Sequence, residues 1–295
     1  MSDTILVTGA SGQLGQRVLH HLLEKVPAGR VIAASRDPSK LAAFASRGVA
    51  TRKVDFDDAA SLPTAFAGVD TLLIVSTDAL GEPGRRIAQH KAAVAAAVAA
   101  GVKRIAYTSM PKPEPGNPVL FAGDHYATEQ AIKASGIPYT IFRNSWYQEN
   151  LLMALPNAIA SGKWYSAAGE GRLAHIGRDD VARAIAAALA SGTGRNVTYT
   201  LTGAKALTTE EIAALAREVT GKPLEVVHVS DEALLAGLEA AGVPQAYAPL
   251  LVSFDVNMRI GGLSEVTTDV ATLSGTEPRP LEAFLEENKA ALLGA

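Results

Sequence analysis

The sequence has no cysteine, and aromatic residues make up only 5% of its 295 positions. Without thiols the chain forms no disulfide, has no thiolate nucleophile, and holds neither an iron–sulfur cluster nor a cysteine-ligated zinc. Any redox chemistry must therefore be carried by an added cofactor. No charge of one sign dominates. The 27 Lys plus Arg stand against 30 Asp plus Glu, a formal charge of −3, which gives no general attraction to nucleic acid or to an anionic membrane. The longest small-apolar run, Ala92 to Val102 between Lys91 and Lys103, is about half of the ~20 residues a membrane span needs and reads as a buried helix. Met1-Ser2-Asp3 leads straight into apolar residues without a basic leader pattern, so a cytoplasmic location is expected.

Metal and hydrolase signatures are missing as well. His20, His21, His90, His125, His175 and His228 show neither H-x-H nor H-E-x-x-H spacing, and there is no G-x-S-x-G elbow. No metal site is expected. None of the seven tyrosines has a lysine four residues on; the near miss is Tyr126 with Gln130. Glutamine cannot supply the fixed positive charge that lowers a tyrosine pKa, so alcohol oxidation through a Tyr/Lys pair is disfavoured.

What is present is a rhythm of short apolar strands and longer Ala/Leu-rich stretches. Strands are expected at Thr4–Thr8, Val31–Ser35, Ala50–Asp55, Thr71–Val75, Arg104–Ser109 and Tyr139–Arg143, with helices near Leu14–Lys25, Ser39–Ser46, Ala60–Ala65, Arg85–Ala100 and Ala122–Ala134. Strands that are apolar throughout fit a parallel sheet covered on both faces. The fold class is therefore α/β, a doubly wound Rossmann sheet over residues 1–150, completed by parts of 176–205. A smaller, mainly helical lobe over 151–295 lies on the substrate side. In that second half, helices are expected at Asp179–Leu189 and at Glu210–Val219, the latter behind a Thr208/Glu211 capping box.

The first strand runs into Gly9-Ala10-Ser11-Gly12-Gln13-Leu14-Gly15 and then a helix. Such a loop must turn tightly, bring backbone N–H groups to a pyrophosphate, and let the helix pack closely on the sheet. Arg36 lies 21 residues past Gly15, followed by Asp37 and, further on, Lys40. An arginine there suits the 2′-phosphate of NADP, whereas Asp37 keeps NADH open as a weaker alternative. Asp55 near the adenine and Ser76 with Thr77 at the nucleotide edge follow from topology. On the nicotinamide side the candidates for lining a substrate pocket are His125 and, from the polar and aromatic segment Arg143–Asn150, Asn144, Trp146 and Tyr147. No residue stands out as a catalytic acid.

The segments Thr8–Gly15, Ala106–Ser109, His125–Glu129 and Arg143–Asn150 resemble those of the NmrA-like atypical short-chain dehydrogenases. The resemblance runs over nearly the whole chain. It implies NADPH bound on the Rossmann domain and hydride transfer to quinones or related dyes, including triphenylmethane or azo dyes. Gly9–Leu14, Arg36, the Ser76 region and the segment from Asn144 would then hold the nucleotide or border a small aromatic acceptor. Gln130 departs from the lysine expected at that place in the quinone-reducing members. The family also includes NADP sensors that act through protein partners without turnover, and self-association of the chain is left open.

Overall fold

Strand and helix identity follow from which residues can face two cores at once. The computed structural model of the chain describes residues 3–192 and 196–294. Strands β1 (Ile5–Val7), β2 (Val31–Ser35), β3 (Ala50–Lys53), β4 (Thr71–Ile74), β5 (Arg104–Ser109), β6 (Tyr139–Asn144) and, after a small-lobe strand β7 (Lys163–Ser166), β8 (Val197–Leu201) are joined by helices. The first helices are α1 (Gln13–Leu23), α2 (Ala42–Ala45), α3 (Leu62–Ala65), α4 (Arg85–Ala99) and α5 (Ala122–Ala134). The seven-stranded sheet has the order β3-β2-β1-β4-β5-β6-β8, and every pairing in it is parallel. This is a Rossmann-type doubly wound sheet.

Alternation along the strands divides the core in two. Ile5 and Val7 point into one cluster with Val18, Leu22, Val181 and Ile185, whereas Leu6 points into the other with Val94, Ala97 and Ile132. One face is thus covered by α1 and by α7 (Arg178–Ser191), the other by α4 and α5. The small side chains of Ala182, Ala186, Ala93 and Ala97 let these helices lie close to the sheet.

The chain leaves the sheet after β6 through α6 (Leu151–Ser161) and returns with α7 and β8. The remaining elements are α8 (Thr209–Thr220), β9 (Glu225–His228), α9 (Asp231–Ala240), α10 (Ala248–Arg259), α11 (Asp269–Ser274), α12 (Leu281–Glu287) and α13 (Lys289–Leu292). Strands β7 and β9 form a separate parallel pair, and a third core joins Leu155 and Ile159 to Ile212, Phe284 and Leu292. Thr208 caps α8 through its bond from the Glu211 N–H, and the Glu211 carboxylate accepts from the Thr208 N–H.

Several element ends differ from expectation by one or two residues, and two differences have a local physical cause. The third strand ends at Lys53 rather than Asp55, because it is a sheet edge with mostly exposed residues and a turn begins at Asp55. The helix expected from Ser39 opens instead as a 3-10 turn over Pro38–Leu41, which Asp37 caps through the Ser39 N–H. Among the described residues no helix is long and apolar enough to cross a membrane.

Candidate functional site

The glycine-rich loop is built by contacts that leave no room for side chains. Gly9 has a φ of +60°, in the left-handed region that glycine adopts without strain. A Cβ at Gly15 would lie 2.3 Å from the Gly9 carbonyl oxygen, and one at Gly12 would lie 3.2 Å from the same atom. The loop is tied to β2 by Ala10 N–H donating to the Ala34 carbonyl (2.9 Å) and by the Ser11 and Ser35 hydroxyls at 2.8 Å. Helix α1 begins at Gln13 with no side-chain cap and no acidic residue in its first turn. The first-turn amides of Gln13, Leu14 and Gly15 therefore face outward as unclaimed donors, an arrangement that suits a pyrophosphate.

At the end of β2, Arg36 and Lys40 are exposed. Asp37 is folded back, its Oδ1 accepting from the Ser39 N–H (3.1 Å) and hydroxyl (2.7 Å), and these bonds lower its pKa. A carboxylate so engaged is poorly placed for a ribose, while the guanidinium beside it remains available. Asp55 is half-buried and its carboxylate caps a turn through the Asp57 N–H. Asp57 itself is paired with Arg85 at 2.7 Å, and that pair with Gln89 holds its pKa down to about 2.

Ser76 and Thr77 leave β4 held on several sides. The Ser76 N–H donates to Thr108 Oγ1 (2.8 Å). The Thr77 N–H donates to His90 Nε2 (3.0 Å), its carbonyl accepts from Arg86 Nε (2.7 Å), and its hydroxyl donates to Gln89 Oε1 (2.7 Å). Three residues of α4 thus grip one residue of the loop.

Behind that grip lies a buried network that fixes its own proton positions. An arginine N–H only donates, so His125 Nε2 accepts from Arg86 Nη2 (2.9 Å) and its Nδ1–H points to the Tyr107 hydroxyl (2.8 Å). His90 accepts at Nε2 from Thr77, so its Nδ1–H donates to Thr128 Oγ1 (3.0 Å). Both rings are neutral: burial, reinforced by the Arg86 charge, pushes His90 down to about 3 and holds His125 well below the ordinary imidazole range. Burial raises the Tyr107 phenol. His125 is therefore turned inward with both nitrogens engaged, and not directed into a pocket. The Phe121 ring meets it edge-on at 5.6 Å. Arg86, Gln89, His90 and Thr128 were not singled out from the sequence; the signal was there, because Arg86, Gln89 and His90 share one face of an otherwise alanine-rich helix.

Beyond β6 the polar segment splits by role. Arg143 is drawn away into an ion pair, donating to both Glu129 oxygens (3.0 and 2.8 Å) and to Glu114 (2.6 Å). Asn144 is buried; its Nδ2 donates to the Tyr147 hydroxyl (3.3 Å) and its Oδ1 has no partner. Tyr147 lies under the Arg178 guanidinium at 4.8 Å, and Trp146 packs on Phe254 with ring centroids 3.8 Å apart. Trp146 and Phe121 border a fourth apolar cluster containing Met110, Leu173, Phe254 and Met258, so helix α10 of the small lobe meets the strand ends there.

A model of the NmrA-like family matches residues 1–285. The chain belongs to the NmrA-like family. Among its relatives, quinone oxidoreductase 2 of Escherichia coli (strain K12) is 37% identical over 271 residues, spanning 92% of this chain and 93% of that protein. The crystal structure of the E. coli NADPH-dependent quinone oxidoreductase complexed with NADPH superimposes with a TM-score of 0.91 at 36% identity, covering 96% of this chain and 99% of that one. The Citrobacter sp. triphenylmethane reductase complexed with NADP(H) gives a TM-score of 0.90 at 36% identity, with the same coverage. The Rossmann-type sheet described above is thus shared architecture.

Proposed function

We propose that the chain is an NADPH-dependent oxidoreductase that transfers hydride to a quinone or a similarly flat aromatic acceptor, triphenylmethane and azo dyes included. The observation that carries this reading is the Gly9–Gly15 loop, which packs too closely for a side chain at Gly15 and, with Gly12 as the N-cap, leaves the start of α1 uncapped for a pyrophosphate. The residues fit that group: Gly9, Ala10, Ser11, Gly12, Gln13, Leu14 and Gly15 would cradle it, and Arg36 with Lys40 would face the 2′-phosphate. Asp55 would border the adenine, and Ser76 and Thr77 the nicotinamide half. NADH would bind more weakly, since Asp37 is committed to Ser39. When bound, the reduced nicotinamide supplies the hydride.

The chain's own residues position and enclose. Arg86, Gln89 and His90 hold the Thr77 amide, carbonyl and hydroxyl, so that this loop keeps its place when a ligand presses on it. Asn144 Oδ1, buried without a partner, is left to accept a hydrogen bond from a bound molecule. Trp146, Tyr147, Phe121 and Phe254 offer aromatic surface for stacking. His125 is neutral and enclosed, so the proton that completes reduction at the acceptor oxygen is left to water. We assign nucleotide binding to residues 1–150 with parts of 176–205, acceptor contact to the lobe over 151–295, and the reaction to the cytoplasm. NADPH oxidation by the purified chain with small benzoquinones tests the proposal. Tight NADPH binding with no acceptor-dependent oxidation would favour a dinucleotide sensor instead.

A further inference from the structure

The small lobe holds a cavity of about 410 Å³ lined by Leu173, His175, Leu207, Leu281, Lys205 and Arg279, among others. It opens beside the residues that follow β8, four strand positions from β1 in the sheet order, or ~19 Å at about 4.8 Å per strand. It is therefore separate from the glycine loop. Its size is in the range of small-molecule sites.

One polar group in this cavity is out of keeping with its apolar walls. His175 is 6% exposed, and its Nδ1 lacks a well-formed hydrogen bond. Burial pushes the ring down to about 3, so it is neutral, and one of its nitrogens presents a lone pair, which needs a donor. His175 is also held firmly. Leu173 and Leu207 exchange backbone bonds at 2.9 and 3.1 Å, and the chain at Gly203 passes so near that a Cβ there would lie 1.9 Å from the His175 carbonyl oxygen. The cations at the rim already have partners: Lys205 lies 3.9 Å from Glu282, and Arg279 pairs with Glu287 while covering the Phe284 ring.

We propose that this cavity binds a small, uncharged, flat molecule bearing a hydroxyl group, of phenol or naphthol size, whose O–H donates to His175. An anion gains little where both cations are paired, and a carbonyl compound has no proton to offer the ring. The assignment does not depend on which acceptor the family site reduces.

The test is equilibrium dialysis of 2-naphthol, and of its methyl ether as a probe without the donor, against the full chain saturated with NADP⁺ and in excess benzoquinone. One saturable naphthol site is expected, with the ether weaker by about fivefold, the worth of one neutral hydrogen bond. His175→Leu should bring naphthol down to the level of the ether and leave the ether unchanged. Ala283→Trp, which fills the cavity from α12, should abolish both and serves if the first variant does not fold. No saturable binding, equal binding of the two probes, displacement of naphthol by benzoquinone, naphthol binding undiminished by His175→Leu, or naphthol binding that survives Ala283→Trp would overturn the proposal.

Discussion

Gly15→Ala is the sharpest perturbation of the nucleotide loop. The added Cβ would lie 2.3 Å from the Gly9 oxygen, 2.8 Å from the Gly9 carbon and 2.9 Å from the Ala10 Cα, whereas ordinary contact begins at 3.4 Å. All three atoms are backbone, so no side chain can swing aside, and the loop or the start of α1 must retreat by ~1 Å. Ala10 resists because its amide is bound to β2. Overpacking of this kind costs about 1–3 kcal/mol of stability. A displacement of ~1 Å where a cofactor is positioned costs on the order of 100-fold in rate. We expect Gly15→Ala to lower kcat/KM for NADPH by about that factor while the protein remains folded in a urea melt. Gly237→Ala is the control: it lies in α9 with nothing within 4 Å, and should raise stability by about 0.5–1 kcal/mol with unchanged kinetics. Wild-type NADPH affinity and turnover in Gly15→Ala would refute the reasoning.

Arg36→Ala should weaken NADPH binding by about 10- to 100-fold, the worth of a charge-assisted contact, and leave NADH nearly unchanged in parallel titrations; equal losses would remove the 2′-phosphate assignment. Glu129 is fully buried, and Arg143 depends on it. Glu129→Ala should therefore cost about 3 kcal/mol or more in denaturant unfolding, against less than about 1 kcal/mol for Lys133→Ala, whose contact with Glu129 is 3.4 Å; similar costs would contradict the ion-pair account. Stability should also fall as the solution is acidified below pH 6.5. His90, His125 and His175 have folded pKa values depressed by burial, so the unfolded chain binds more protons from about 6.5 downward, until the folded rings titrate, near 3 for His90 and His175. Each ring then contributes about 1.4 kcal/mol of loss per pH unit within that window. Urea midpoints that do not move between pH 7.5 and pH 5 would exclude three neutral buried imidazoles.

The sheet and the glycine-rich turn were legible because their signals are local. The strands are apolar on both faces wherever helices cover them, Gly12 and Gly15 are required by backbone approaches within seven residues, and Gly9 by its positive φ. The small lobe was less legible. Strands β7 and β9 are four residues each, largely exposed, and pair only with one another across about sixty residues of chain. Long-range pairing was not legible at the end of β6: Arg143 stands in a polar cluster but its partner, Glu129, comes from α5. His125 likewise follows a strand end, yet the side on which its ring lies is decided by Arg86 and Tyr107, contacts that no local pattern encodes.

Acceptor reduction at the expense of NADPH is read directly as NADPH consumption by the purified chain with a small benzoquinone under anaerobic conditions, with hydroquinone quantified alongside. The account predicts equimolar NADPH loss and hydroquinone formation, faster with NADPH than with NADH and depressed about 100-fold by Gly15→Ala. NADPH that binds but is consumed no faster with quinone, azo or triphenylmethane acceptors than without the protein would contradict it.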